Sequence, residues 1–63
     1  MAETYRVVVV DDHPLFRRGV VQLLGMNPIF EVVAEAGDFE SAMAAVRQSE
    51  PDLVLLDLNM KNT

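Results

Sequence analysis

Two apolar runs in this 63-residue chain stop at aspartate. Val7 to Val10 lead into Asp11 and Asp12, and Leu53 to Leu56 lead into Asp57. Three carboxylates brought together repel one another, and a hard divalent cation among them relieves that repulsion. An all-oxygen ligand set of this kind selects Mg²⁺. A carboxylate in such a setting can also attack phosphorus and become an aspartyl-phosphate. Asp57, at the tip of the second run, is the expected acceptor. Asp12 is expected to hold Mg²⁺ directly with Asp11 assisting, and the backbone carbonyl of Asn59 adds a further oxygen.

That chemistry requires a fold that brings residues 45 positions apart to one place. Short β-branched and aliphatic runs closed by polar residues read as strands buried on both faces of a parallel sheet. Tyr5 to Val10 makes the first strand. Pro14 suits the first helical position, where its fixed φ and missing N–H cost nothing. Phe16, Val20, Leu23 and Leu24 then share a helical face, with Arg17 and Arg18 on a solvated one, until Gly25, Asn27 and Pro28 end the helix. Phe30 to Ala36 alternates only partly, as an edge strand does. Asp38, or Ser41, caps a second helix whose stripe is Phe39, Ala42, Met43 and Val46, the residues expected to face the core. It stops near Ser49, ahead of Pro51. Asp52 to Leu56 forms the third strand.

The order is therefore βαβαβ. Right-handed crossovers place the first strand between the other two, in spatial order 2-1-3, with a switch point between strands one and three. Ligands of open α/β sheets gather at that crevice, so Asp11, Asp12 and Asp57 are expected to meet there.

Composition narrows the classes of function. A net charge of −5 leaves no basic patch for nucleic acid. With no cysteine, neither disulfides nor thiolate metal sites are available. A hydrophobic share of 51% argues for a packed core. No apolar run approaches membrane-spanning length and the N-terminus has no signal-peptide pattern, so a cytoplasmic location is expected. A full doubly wound domain holds about 100–150 residues, so residues 1–63 read as part of one.

VVVVDDHPLFRRGVVQLL, EVVAEAGDFESAMAAV and PDLVLLDLNM together resemble the first half of a response-regulator receiver domain of two-component signalling. The DDHP start and the LLDLNM end are most similar to regulators of the NarL/FixJ type, particularly the nitrate/nitrite group. The resemblance runs from Tyr5 to Lys61. It implies a truncated flavodoxin-like fold, Asp57 as phosphoacceptor for a sensor histidine kinase, Asp11 and Asp12 as the acidic pair, and the Asn59 carbonyl on Mg²⁺. It implies no enzyme activity of the chain's own and a place in transcription regulation.

The family also carries a Ser or Thr on a fourth strand and a Lys on a fifth, and neither lies in these residues. Lys61 sits in the third-strand loop and does not stand in for that Lys. Nor is the DNA-binding helix-turn-helix domain of NarL/FixJ-type regulators present, so this fragment is expected to bind no nucleic acid and Asp57 to accept phosphate poorly. The competing expectation is a structural fragment that self-associates through its exposed third strand as a homodimer or larger assembly. A haloacid-dehalogenase-type phosphatase would want Asp-x-Asp where the chain has Asp57-Leu58-Asn59, and an FMN site is disfavoured because the acidic loop repels the flavin phosphate. His13 is read as a solvent-facing residue at the helix start, and Met60 as packing near the site.

Overall fold

The computed structural model describes residues 3–56. Asp57, Asn59, Met60 and Lys61 lie outside the described residues. The elements run β1 (Tyr5–Val10), α1 (Pro14–Gly25), β2 (Phe30–Ala36), α2 (Phe39–Ser49) and β3 (Leu53–Leu56). The strands form one parallel sheet in the order β2-β1-β3, the doubly wound arrangement that the pattern predicts. Val10 pairs with Ala36 on one side and with Leu56, the last described residue, on the other.

Local chemistry sets the boundaries. Pro14 occupies the first turn of α1, and the first helical bond runs from the Arg17 N–H to the His13 carbonyl at 2.9 Å. Asp38 caps α2, accepting from the Ser41 N–H at 2.7 Å. At its other end Glu50 turns into the left-handed region (φ 48°), and Pro51 follows. β3 begins at Leu53 rather than the expected Asp52. The reason is that Asp52 acts as a clasp: its N–H donates to the Arg6 carbonyl and its carboxylate accepts from the Arg6 N–H, both at 2.8 Å.

The core is narrow and centred on β1. Val7, Val8, Val9 and Val10 are all buried, and each contributes about 1.5–3 kcal/mol of apolar burial. Val8 and Val10 pack with Ala36 and with Ala42 of α2, while Val9 borders a groove under Phe16 and Val20 of α1. Because side chains alternate along a strand, the two helices cover opposite faces. β2 carries a bulge: Val7 pairs with Val32 but Val8 with Ala34, leaving Val33 as the extra residue. That slip explains why the alternation along β2 is incomplete.

Each helix packs through half of its expected stripe: Val20 and Leu24 on α1 and Ala42 and Val46 on α2 are covered as expected, and the other half is not. Phe16 is 63% and Leu23 70% exposed, and it is Arg17, Val20, Val21 and Leu24 that turn toward the sheet. On α2, Ala42 is buried and Ala45 and Val46 are partly covered, whereas Phe39 and Met43 are exposed. The apolar stripes are wider than the contact, and the small residues sit where helix and sheet approach most closely. Among the described residues no helix is long and apolar enough to cross a membrane.

Candidate metal site at the strand tips

Beyond Val10 the ladder makes one more bond, from the Asp11 N–H to the Ala36 carbonyl at 3.0 Å. Asp11 is only 2% exposed, and its Oδ1 accepts the His13 N–H at 2.8 Å. An aspartate bonding the backbone two residues ahead makes an Asx-type turn, which swings the chain off β1 into α1. Asp12, the middle residue of that turn, is partly buried.

Asp12 Oδ1 is buried and accepts no hydrogen bond. The His13 imidazole, largely in solvent, brings Nδ1 to 2.9 Å from that oxygen, an ion pair when the ring is protonated, and to 3.7 Å from Asp11 Oδ1. Leaving a buried acceptor unmade costs about 1–3 kcal/mol, more when it is charged. A cation beside Asp12 would remove that cost. One ligand atom each from Asp11, Asp12 and His13 lies within 4.8 Å of the others, a spread that one ion can span. The acidic pair therefore fits a hard divalent ion such as Mg²⁺. His13 is solvent-facing, as its position suggests, and it also belongs to this cluster.

Arg17 departs from the sequence reading. Instead of lying on a solvated face, its guanidinium folds back over the strand tips. One nitrogen donates to the Asp11 carbonyl at 2.7 Å and another to a Glu35 carboxylate oxygen at 3.2 Å. The side chain is 21% exposed. Gly37 makes the room: a Cβ there would stand 3.1 Å from the guanidinium. No glycine has positive φ among the described residues, so Gly37 serves close approach rather than an unusual backbone. That glycine is the one sequence signal that pointed to the clamp.

On the other side of β1, the described part of β3 ends at Leu56 opposite Val10. The sequence continues from those partners into Asp57 and Asp11. An apolar groove lined by Val9, Phe16, Val20, Leu55 and Leu56 runs up to Asp11 between α1 and β3.

Comparisons with known proteins match this architecture. The family described as "Response regulator receiver domain" matches residues 7–63. The nitrate/nitrite response regulator protein NarP of Escherichia coli (strain K12) is 57% identical over 60 residues, covering 95% of this chain and 28% of that protein. NarL of the same strain, also a nitrate/nitrite response regulator protein, is 45% identical over 58 residues, covering 92% and 27%. The chain thus spans about a quarter of the length of the curated relatives it matches. Among solved structures, the signal receiver domain of the response regulator NarL from Mycobacterium tuberculosis superposes with a TM-score of 0.87 at 47% identity. That superposition covers 94% of this chain and 48% of the other. A family match over nearly every residue and a shared fold at that identity lead to one conclusion: the chain belongs to the response regulator receiver domain family.

Proposed function

We propose that this chain is the part of a receiver domain that carries the phosphoacceptor, Asp57, and the acidic pair that holds Mg²⁺ beside it. The observation that carries this reading is the buried Asp12 Oδ1, which accepts no hydrogen bond, at the tip of β1, next to the strand that leads into Asp57. In this reading an Asp57 oxygen attacks the phosphorus of a phosphohistidine on a sensor histidine kinase. The oxygen–phosphorus bond forms, the phosphorus–nitrogen bond breaks, and the departing imidazole takes a proton from solvent. Asp12 contributes its Oδ1 to Mg²⁺, Asp11 assists, and the Asn59 carbonyl and Asp57 complete the protein's share of the ligands. When bound, the ion offsets the charge on the transferring phosphoryl group. Asp11 also has a positioning duty, since its Oδ1 and its carbonyl are both engaged in holding the turn.

The test is labelling of the chain by acetyl phosphate with and without Mg²⁺, read by mass spectrometry of the intact chain and its peptides. One phosphoryl group on Asp57, dependent on Mg²⁺ and lost in Asp57→Asn, is the expected result. Labelling is expected to be slower than in a longer receiver; labelling of another residue, or labelling of Asp57 that does not depend on Mg²⁺, counts against the reading.

A second reading is favoured by a specific observation. All four residues of β3 are exposed, from Leu55 at 38% to Leu56 at 49%, although LVLL is an interior-strand sequence. An unpaired apolar edge is a template for another strand. In this reading two copies pair through β3 across a two-fold axis into one six-stranded sheet.

A further inference from the structure

We propose that Arg17 is the positioning residue of the acidic site, holding the Asp11–Asp12 peptide so that Asp12 Oδ1 stays free of hydrogen bonds and available to the metal. The inference rests on the metal-site reading above and adds the residue that sets its geometry.

The Asp11 carbonyl lies past the end of the β1–β2 ladder, because β2 stops at Ala36, the residue whose carbonyl accepts the Asp11 N–H. A carbonyl left there without a partner would let the peptide between Asp11 and Asp12 rotate. Arg17 supplies the partner from the first turn of α1, and Glu35 holds the guanidinium in place from β2. A charge-assisted bond of 2.7 Å is among the stronger kinds available to a backbone oxygen. Three elements are thus fastened at the peptide that carries the acidic pair. Gly37 leaves the space: a methyl group there would meet the guanidinium at 3.1 Å and the Asp11 carbonyl at 3.9 Å. Arg17 itself reaches the backbone of Asp11 and not the ligand oxygens, so it acts on the metal only through the loop.

Charge and positioning predict opposite signs. Removing a cation beside a metal site relieves repulsion, so on Coulomb grounds alone Arg17→Gln should bind Mg²⁺ more tightly. Loss of positioning weakens binding instead, and removal of an outer-shell partner typically costs about 10–100-fold in metal affinity.

The experiment titrates the wild-type chain, Arg17→Gln, Arg17→Lys and Gly37→Ala with Mg²⁺. It follows the resonances of His13, the chain's single histidine, and circular dichroism records the folded fraction without the ion. Arg17→Gln is expected to bind about tenfold more weakly than its folded fraction accounts for. Gly37→Ala should move the same way although the arginine is still present. Unchanged or tighter binding by Arg17→Gln overturns the proposal. Should Arg17→Gln fail to fold, Arg17→Lys and Gly37→Ala decide it: Lys keeps the charge but reaches one acceptor, and wild-type affinity in both overturns the proposal. A wild-type chain that gives no Mg²⁺ response sinks the metal site itself, whereas a responding wild type with equally responsive variants sinks only the role of Arg17.

Discussion

Val7 to Val10 of β1 and Leu53 to Leu56 of β3 are both four-residue aliphatic runs, paired one to one in a parallel ladder. Yet Val7 and Val8 are 0% exposed, while Leu53 is 41% and Val54 44%. The β1 valines have a strand on each side and a helix over each face. β3 has β1 on one side and neither a second strand nor close helix cover among the described residues. Burial is therefore conferred by position in the sheet, and an apolar run states only that a strand can tolerate burial. The same contrast divides the site. Its β1 half is fastened by the Asx-type turn, the ladder bond from Asp11 and the Arg17 clamp, and the half that β3 leads into begins at an open edge.

The largest effect that can break this comparison is a charge placed in each strand. Val8→Asp puts an isolated carboxylate into the core, which exceeds the roughly 5 kcal/mol that stabilises a small domain. Loss of the far-ultraviolet helical signal is expected. Val54→Lys, at the residue paired with Val8, should keep that signal and abolish any self-association seen by sedimentation. Equal unfolding by the two variants would mean that β3 is as buried in solution as β1, and the contrast fails.

A smaller effect sharpens it at the entrance to β3. Glu50 sits at φ 48°, where a side chain costs about 1–2 kcal/mol that glycine does not. Glu50→Gly should raise the urea midpoint by the equivalent of about 0.5–1 kcal/mol, after glycine's own entropic cost. A lowered midpoint would show that the turn into β3 stores no such strain.

The smallest effect lies at the cap of α2. The Ser41 hydroxyl, and after it the Ser41 N–H, hold the Asp38 carboxyl below its ordinary value of 3.8. A depressed carboxyl contributes stability that is fully present above its unfolded value and is lost as pH falls through the lowered folded value. Helix content should therefore decline on acidification below pH 3.8, with less of the decline traceable to Asp38 in Ser41→Ala. Identical acid profiles for the two chains would remove the cap from the account.

Element order, strand order and the tip position of Asp11 and Asp12 were legible because periodicity, turn residues and crossover handedness all act locally or through general rules. The packed faces of the helices were legible in part: Val20, Leu24, Ala42 and Val46 are covered as their spacing predicts. Phe16, Leu23, Phe39 and Met43 have the same spacing but stay exposed, while the smaller Val21 and Ala45 are partly covered beside the expected residues. Arg17 was misread for a related reason. Its partners are a carbonyl and a carboxylate on other elements, so nothing in its own helix marks it. Asp12's oxygen without a hydrogen bond had no sequence signal beyond the doubled aspartate.

The central claim is that the tip of β1 and the residue following β3 hold one cation between them. Mg²⁺ affinity measured for the wild-type chain, Asp12→Asn and Asp57→Asn tests it most directly. If one ion is shared, each substitution removes a ligand charge and weakens binding by about tenfold or more. An Asp57→Asn chain that binds Mg²⁺ as tightly as the wild type would contradict the account, because the acidic pair of β1 would then be acting alone.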